Sequence, residues 1–144
     1  MLSIKHTSNA TWSGTVPQGT GQFTVGKSAL ELPFSLKSRL GEDPSTNPEE
    51  LIAAALSGCY AMSLSGELES NGTSASGVKA RATVHLVQGE GGFSIPIVDL
   101  SVVAEVPGLD DASFQAIAEQ AERVCPVSQV LKADVRLTAS LRKL

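Results

Sequence analysis

At 144 residues the chain fits one domain, residues 1–144, with enough length to bury roughly two thirds of its unfolded surface without disulfides. Eleven basic residues against fifteen acidic ones leave a net charge of −4 and no basic block, which excludes nucleic acid and anionic membrane as main partners, because both demand concentrated positive charge. No apolar run approaches the roughly 18 residues of a membrane span, the opening Met1-Leu2-Ser3-Ile4-Lys5-His6 lacks the layout of a secretory leader, and the expected compartment is the cytoplasm.

The first 36 residues read as short strands, with Gln22–Val25 and Ala29–Phe34 flanking a Gly-Lys-Ser turn. Lys37–Asn47 reads as a polar loop that carries Arg39. A helix follows: Asn47 suits the N-cap, Pro48 the first helical position, and Glu50 the third position of a capping box. It runs from Glu49 to about Ser70, with Ile52, Ala55, Leu56, Cys59, Met62 and Ser63 as its apolar stripe, and ends at Asn71-Gly72. Its Ala, Gly and Ser content lets a second helix or a ligand approach closely.

Alternation then predicts three half-polar strands. Their inward residues are Val78 to Leu86, Val98 to Val106 and Val135 to Leu141, taken every second position, and Gly89-Glu90-Gly91-Gly92 makes a hairpin turn between the first two. A second helix spans Asp111–Val124 on a stripe of Phe114, Ile117, Ala118 and Ala121, and Cys125-Pro126 breaks it before a short turn through Leu131. The fold class is therefore α+β, with antiparallel sheets packed on a long central helix and a second helix.

Two cysteines, Cys59 and Cys125, lie 66 positions apart, so no CxxC or zinc-knuckle spacing exists. In a reducing compartment such a pair is either buried and inert or chemically used. A cysteine of ordinary pKa is only about 3% ionised at neutral pH, and mid-helix Cys59 gains little from the helix dipole, so activation needs a nearby cation. Arg39 is the only arginine before residue 81. Of the first-turn carboxylates, Glu49 is the one left over by the capping box, and it could orient the Arg39 guanidinium. His6 and His85 show no metal-ligand spacing with a cysteine, and no serine sits in a GxSxG frame.

The run Thr46-Asn47-Pro48-Glu49-Glu50-Leu51-Ile52-Ala53-Ala54-Ala55, followed by Ser57-Gly58-Cys59-Tyr60, resembles the first cysteine motif of the OsmC/Ohr family. Cys125-Pro126-Val127-Ser128 with Leu131 resembles the second. The likeness extends from about Trp12 to Leu141. It implies a thiol-dependent organic hydroperoxide reductase of peroxide or osmotic stress defence, with Cys59 as the attacking thiolate and Cys125 as the resolving one. Arg39 would stabilise thiolate and alkoxide, Glu49 would orient Arg39, and a lipoyl-type dithiol would be the external reductant, with no bound cofactor or metal. The position of Arg39 favours the OsmC branch, where Leu56 replaces a histidine often found there.

Glu49 and Cys59 are ten residues apart on one helix, about 15 Å along its axis and roughly 80° around it. An arginine bonded to Glu49 would struggle to reach that thiol within one chain. The resemblance implies an intertwined homodimer with sites at the interface, in which Arg39 and Glu49 of one chain serve Cys59 of the other. A pocket lined by Ile52, Ala55, Leu56 and Met62 would suit alkyl or lipid hydroperoxides. Two other readings keep the fold without this turnover: a non-catalytic dimeric binding module and a thiol redox sensor.

Overall fold

The computed structural model describes residues 1–143; Leu144, the end of the expected domain, lies outside them. The chain divides into two compact units, residues 1–51 and 52–144.

The first unit is a three-stranded antiparallel sheet in the order β1-β2-β3, formed by β1 (Asn9–Ser13), β2 (Thr20–Val25) and β3 (Leu30–Phe34). Its register places Trp12 and Phe34 on either side of Gly21. Both rings lie over that glycine, where an added Cβ would come within 2.4 Å of Phe34 and 2.8 Å of Trp12, so only glycine fits beneath them. The expected loop after β3 contains instead a four-residue helix, α1 (Leu36–Arg39). Ser35 caps it by accepting from Ser38 N, and the Ser38 hydroxyl accepts from Ser35 N in return. A serine pair needs no apolar periodicity to make one helical turn, which is why the sequence pattern missed it.

The helix expected at Glu49 is α2 (Pro48–Ser70), which starts in the first unit and continues through the second. Asn47 caps it by accepting from Glu50 N at 2.8 Å. Glu50, expected to close a capping box, accepts from the Thr46 hydroxyl at 2.9 Å. The buried stripe is Leu56, Tyr60, Leu64 and Leu68. Ala55 and Met62, placed on the core face by the sequence pattern, are exposed, Met62 to 78%. Contrary to the reading of apolar runs, α2 is long and apolar enough to cross a membrane by length and composition. Interspersed Ser and Gly kept it from looking like one run.

In the second unit, β4 (Gly77–Val84), β7 (Ile97–Glu105) and β8 (Asp134–Leu141) form a sheet in the order β4-β7-β8, and β5 (Val87–Gly89) and β6 (Gly92–Ser94) form a separate hairpin. The expected antiparallel arrangement holds for β4 with β7 but not for β7 with β8, which run parallel. The sheet is mixed because α3 (Asp111–Val124) and α4 (Pro126–Val130) form the crossover that a parallel pair requires. Val98, Leu100, Val102 and Ala104 of β7 meet the α2 stripe and the α3 residues Phe114, Ile117, Ala118 and Ala121 in one buried core.

Candidate functional site

The structure brings the four predicted residues together as two pairs, Cys59 with Cys125 and Arg39 with Glu49, each pair within its own unit.

In the second unit, Cys59 follows from the phase of α2. It precedes the buried Tyr60 by one residue, so it sits at the margin of the core face and is half-buried. Two hydroxyls beside it grip α3: Tyr60 Oη donates to Ala118 O at 3.0 Å and Ser63 Oγ to Ala121 O at 2.7 Å. The second bond has a specific use. Cys125 N bonds to Glu122 O in a tightened last turn, so the Ala121 carbonyl takes its donor from the neighbouring helix. The end of α3, and Cys125 directly after it, is thereby fixed against the part of α2 that carries Cys59.

Cys125 is fully buried and its thiol lies 3.2 Å from Cys59 Sγ. Both sulfurs are free thiols, and a disulfide would require them to close by roughly 1.2 Å. Burial pushes the Cys125 thiol above its ordinary pKa, while the backbone amides of Ser128 and Val127 pull the other way. Tyr60 is raised by burial first and by the charges of Glu122 and Cys125 after it, so it stays a phenol and keeps its proton for Ala118.

In the first unit, Arg39 closes α1 and Glu49 opens α2. Both Arg39 Nε and Nη2 donate to Glu49 Oε1, at 3.0 and 2.7 Å. Asn47 locks the two short segments together, since its amide donates to Ser38 O at 3.1 Å while its carbonyl caps α2. The Ser38 hydroxyl adds a bond to Thr46 O at 2.8 Å. Glu49 is buried, and its second oxygen, Oε2, has no hydrogen-bond partner among the described residues.

Beside Arg39 lies a cavity of about 230 Å³ lined by Trp12, Val16, Phe34, Leu36 and Pro48, with Ser35. It is not the pocket expected from sequence: Ile52, Ala55, Leu56 and Met62 do not line it, and Leu56 is wholly buried in the core. The aromatic lining went unread because Trp12 and Phe34 become neighbours only through the pairing of both strands with Gly21. An aromatic on either side of a strand glycine was the one available signal.

Residues 41–140 match the family described as OsmC-like protein, a span that contains both cysteines and Glu49 and stops short of Arg39. The chain is 34% identical over 142 residues to Peroxiredoxin OsmC of Escherichia coli (strain K12), covering 98% of this chain and 99% of that one. It is 29% identical over 141 residues to the organic hydroperoxide resistance protein of Xanthomonas axonopodis pv. citri, covering 96% and 95%. Among solved structures, an organic hydroperoxide resistance protein OsmC from Legionella pneumophila superposes with a TM-score of 0.72 at 25% identity, covering 98% of this chain and all of the other.

Proposed function

The chain belongs to the OsmC-like protein family, and from that premise we propose that it is a cysteine-based peroxidase that reduces organic hydroperoxides to alcohols. The observation that supports this most directly is the 3.2 Å approach of two thiols separated by 66 residues. Their exposures support the division of labour, since a solute meets the half-buried Cys59 before the fully buried Cys125. Cys59 Sγ attacks the distal peroxide oxygen. The O–O bond breaks, the alkoxide leaves and becomes the alcohol on taking a proton, and Cys59 becomes a sulfenic acid. Cys125 Sγ then attacks Cys59 Sγ: the S–S bond forms, the S–O bond breaks, and water leaves. An external dithiol of the lipoyl type restores both thiols by exchange. The sulfurs carry the electrons, so the reaction asks for no bound metal or flavin.

Arg39 offsets the charge of the thiolate and of the departing alkoxide, and Glu49 fixes the guanidinium plane. The apolar lining of the cavity beside Arg39 suits the hydrocarbon part of an organic hydroperoxide better than it suits hydrogen peroxide. The functional form is a homodimer in the cytoplasm, acting in peroxide or osmotic stress defence, with residues 1–144 as one working domain. Arg39 and Glu49 of one copy serve Cys59 of the other. Support for the dimer comes from the outward side of α2, where Ala54, Ala55, Gly58, Met62 and Gly66 are exposed and uncharged. Only 22% of the apolar window of this helix is buried within the chain.

One equivalent of an organic hydroperoxide per chain, added to reduced protein and followed by intact mass, tests the chemistry. Loss of about two hydrogens is expected, with a +16 Da species in Cys125→Ser and no change in Cys59→Ser. A mass unchanged over many minutes in folded protein would leave a binding module in place of a peroxidase. Mixing Cys59→Ser with Arg39→Ala subunits tests the shared site: heterodimers should regain about half the sites, whereas a site confined to one chain gives no rescue.

A further inference from the structure

The resolving cysteine sits at a break in the chain. Cys125 is at once the C-cap of α3 and the N-cap of α4, and Pro126 removes one backbone donor at the junction. Of the five residues of α4, Val127 packs against the core while Pro126, Gln129 and Val130 are exposed, so polar contacts across the junction share in fixing its angle to α3. Two side chains of α4 reach back over the junction. Gln129 Nε2 donates to Arg123 O at 2.9 Å in an exposed position. Ser128 is 7% exposed, and its hydroxyl donates to the Glu122 carboxylate, one residue before Arg123. The partly buried, charge-assisted bond is the stronger of the two. Ser128 and Glu122 thus bracket Cys125 from both sides, three residues away in each direction, and the loop they close contains nothing but the junction.

We infer that Ser128 and Glu122 are positioning residues for Cys125, forming a clasp across the α3–α4 break that keeps Cys125 Sγ aimed at Cys59 during the resolving step. The inference rests on the peroxidase reading for its place in turnover, but not for its physical content. In that step the bond from Cys125 Sγ to Cys59 Sγ forms as the S–O bond of the sulfenic acid breaks, and the departing hydroxide leaves as water with the proton Cys125 gives up. Neither clasp residue touches the reacting atoms. Without the clasp, α4 swings about Pro126 and the effective concentration of Cys125 at Cys59 falls. The attack of Cys59 on peroxide is untouched, and the sulfenic acid persists long enough to over-oxidise to sulfinic acid.

Two measurements decide the matter. The first follows peroxide-treated protein by stopped-flow and intact mass, reading formation of the Cys59 sulfenic acid separately from closure of the disulfide. The second needs no peroxide: reduced protein is equilibrated with mixtures of reduced and oxidised dithiothreitol, and the disulfide fraction reads the effective concentration of the two thiols. Ser128→Ala and Glu122→Ala should each slow disulfide closure about tenfold, with the sulfenic step unchanged, and lower the dithiothreitol equilibrium constant by a similar factor. The double variant should be no worse than either single one, because the two residues act as one unit. Ser128→Thr, which keeps the hydroxyl, should restore both readings. Unchanged closure and equilibrium in Ser128→Ala overturns the clasp, and so does an equal slowing of both peroxide steps, which marks general damage. If wild-type protein ignores peroxide while the equilibrium constant still falls in Ser128→Ala, the peroxidase reading fails and the clasp stands.

Discussion

The two long helices bury the same kind of stripe and differ in what faces outward. On α3 the four inward residues, Phe114, Ile117, Ala118 and Ala121, alternate with polar ones such as Asp111, Glu119 and Arg123 on the outside, so charge marks the inside. On α2 no charged residue occurs between Leu51 and Gly66. Inside and outside there are separated mostly by size: Leu56, Tyr60, Leu64 and Leu68 go in, while Ala54, Ala55, Gly58 and Gly66 stay out, with Met62 the one large side chain among them. A helix whose outer face is uncharged, with small residues around a single exposed methionine, is built to receive another surface.

The largest effect is expected from a change of size on the inner side of α2. Leu64 is wholly buried among β7 and α3 side chains, and Leu64→Ala should cost about 2–5 kcal/mol of unfolding free energy, read from urea midpoints. The same truncation at Met62, which is 78% exposed, should leave the isolated fold within about 0.5 kcal/mol of wild type. Equal losses at the two sites would mean that α2 has no outer face.

The outer side gives a test whose sign decides. An added Cβ at Gly66 meets nothing within 4 Å in the single chain. If that face were solvated, Gly66→Leu would stabilise α2 by roughly 0.5–1 kcal/mol through helix propensity alone. In the proposed homodimer the same side chain overpacks a close helix contact and should weaken association by about 1–3 kcal/mol. Sedimentation velocity across a dilution series reads the second outcome, and a stable dimer of the variant would remove α2 from the interface.

The two helices also differ in how legible they are in the sequence. The limits of α3 and its four buried residues follow from charge patterning, and both cysteine motifs follow from chemistry that tolerates few substitutes. The sequence pattern puts Ala55 and Met62 on the α2 core stripe, where the structure exposes them, because hydropathy carries no phase where every residue is apolar or small. The parallel pairing of β7 with β8 is a property of the crossover, invisible in strands that alternate alike in either direction. Arg39 with Glu49 was legible as a charge pair, whereas the cavity beside it depends on Trp12 and Phe34 meeting over Gly21, a contact between residues 22 positions apart. Short α1 depends on the hydroxyls of Ser35 and Ser38, which serve equally well in turns.

A smaller effect is expected where α2 grips α3. Ser63→Ala leaves the Ala121 carbonyl without its 2.7 Å donor beside Cys125 and should cost about 1 kcal/mol. Hydrogen exchange should speed up in the last turn of α3 but not in its first. Uniform acceleration along α3 would show that the bond supports the helix as a whole and does not serve the cysteine junction in particular.

The smallest effect belongs to the start of α3, where charge again marks the boundary that α2 sets without it. Asp110 caps α3 by accepting from Ser113 N at 3.0 Å and from Ser113 Oγ at 2.8 Å. Those hydrogen bonds, the backbone one first, hold its carboxyl below the ordinary value of 3.8. A carboxyl depressed in the folded state adds stability above its unfolded pKa and loses it as pH falls through the folded one. Wild type should therefore lose ground to Asp110→Asn as pH drops from about 5 to 3, because asparagine caps nearly as well and does not titrate. Urea midpoints of both proteins across that range should converge toward the acid end. A constant gap between them would mean that the α3 boundary is held by the geometry of the cap and that its charge, like the missing charge on α2, is not what fixes the helix in place.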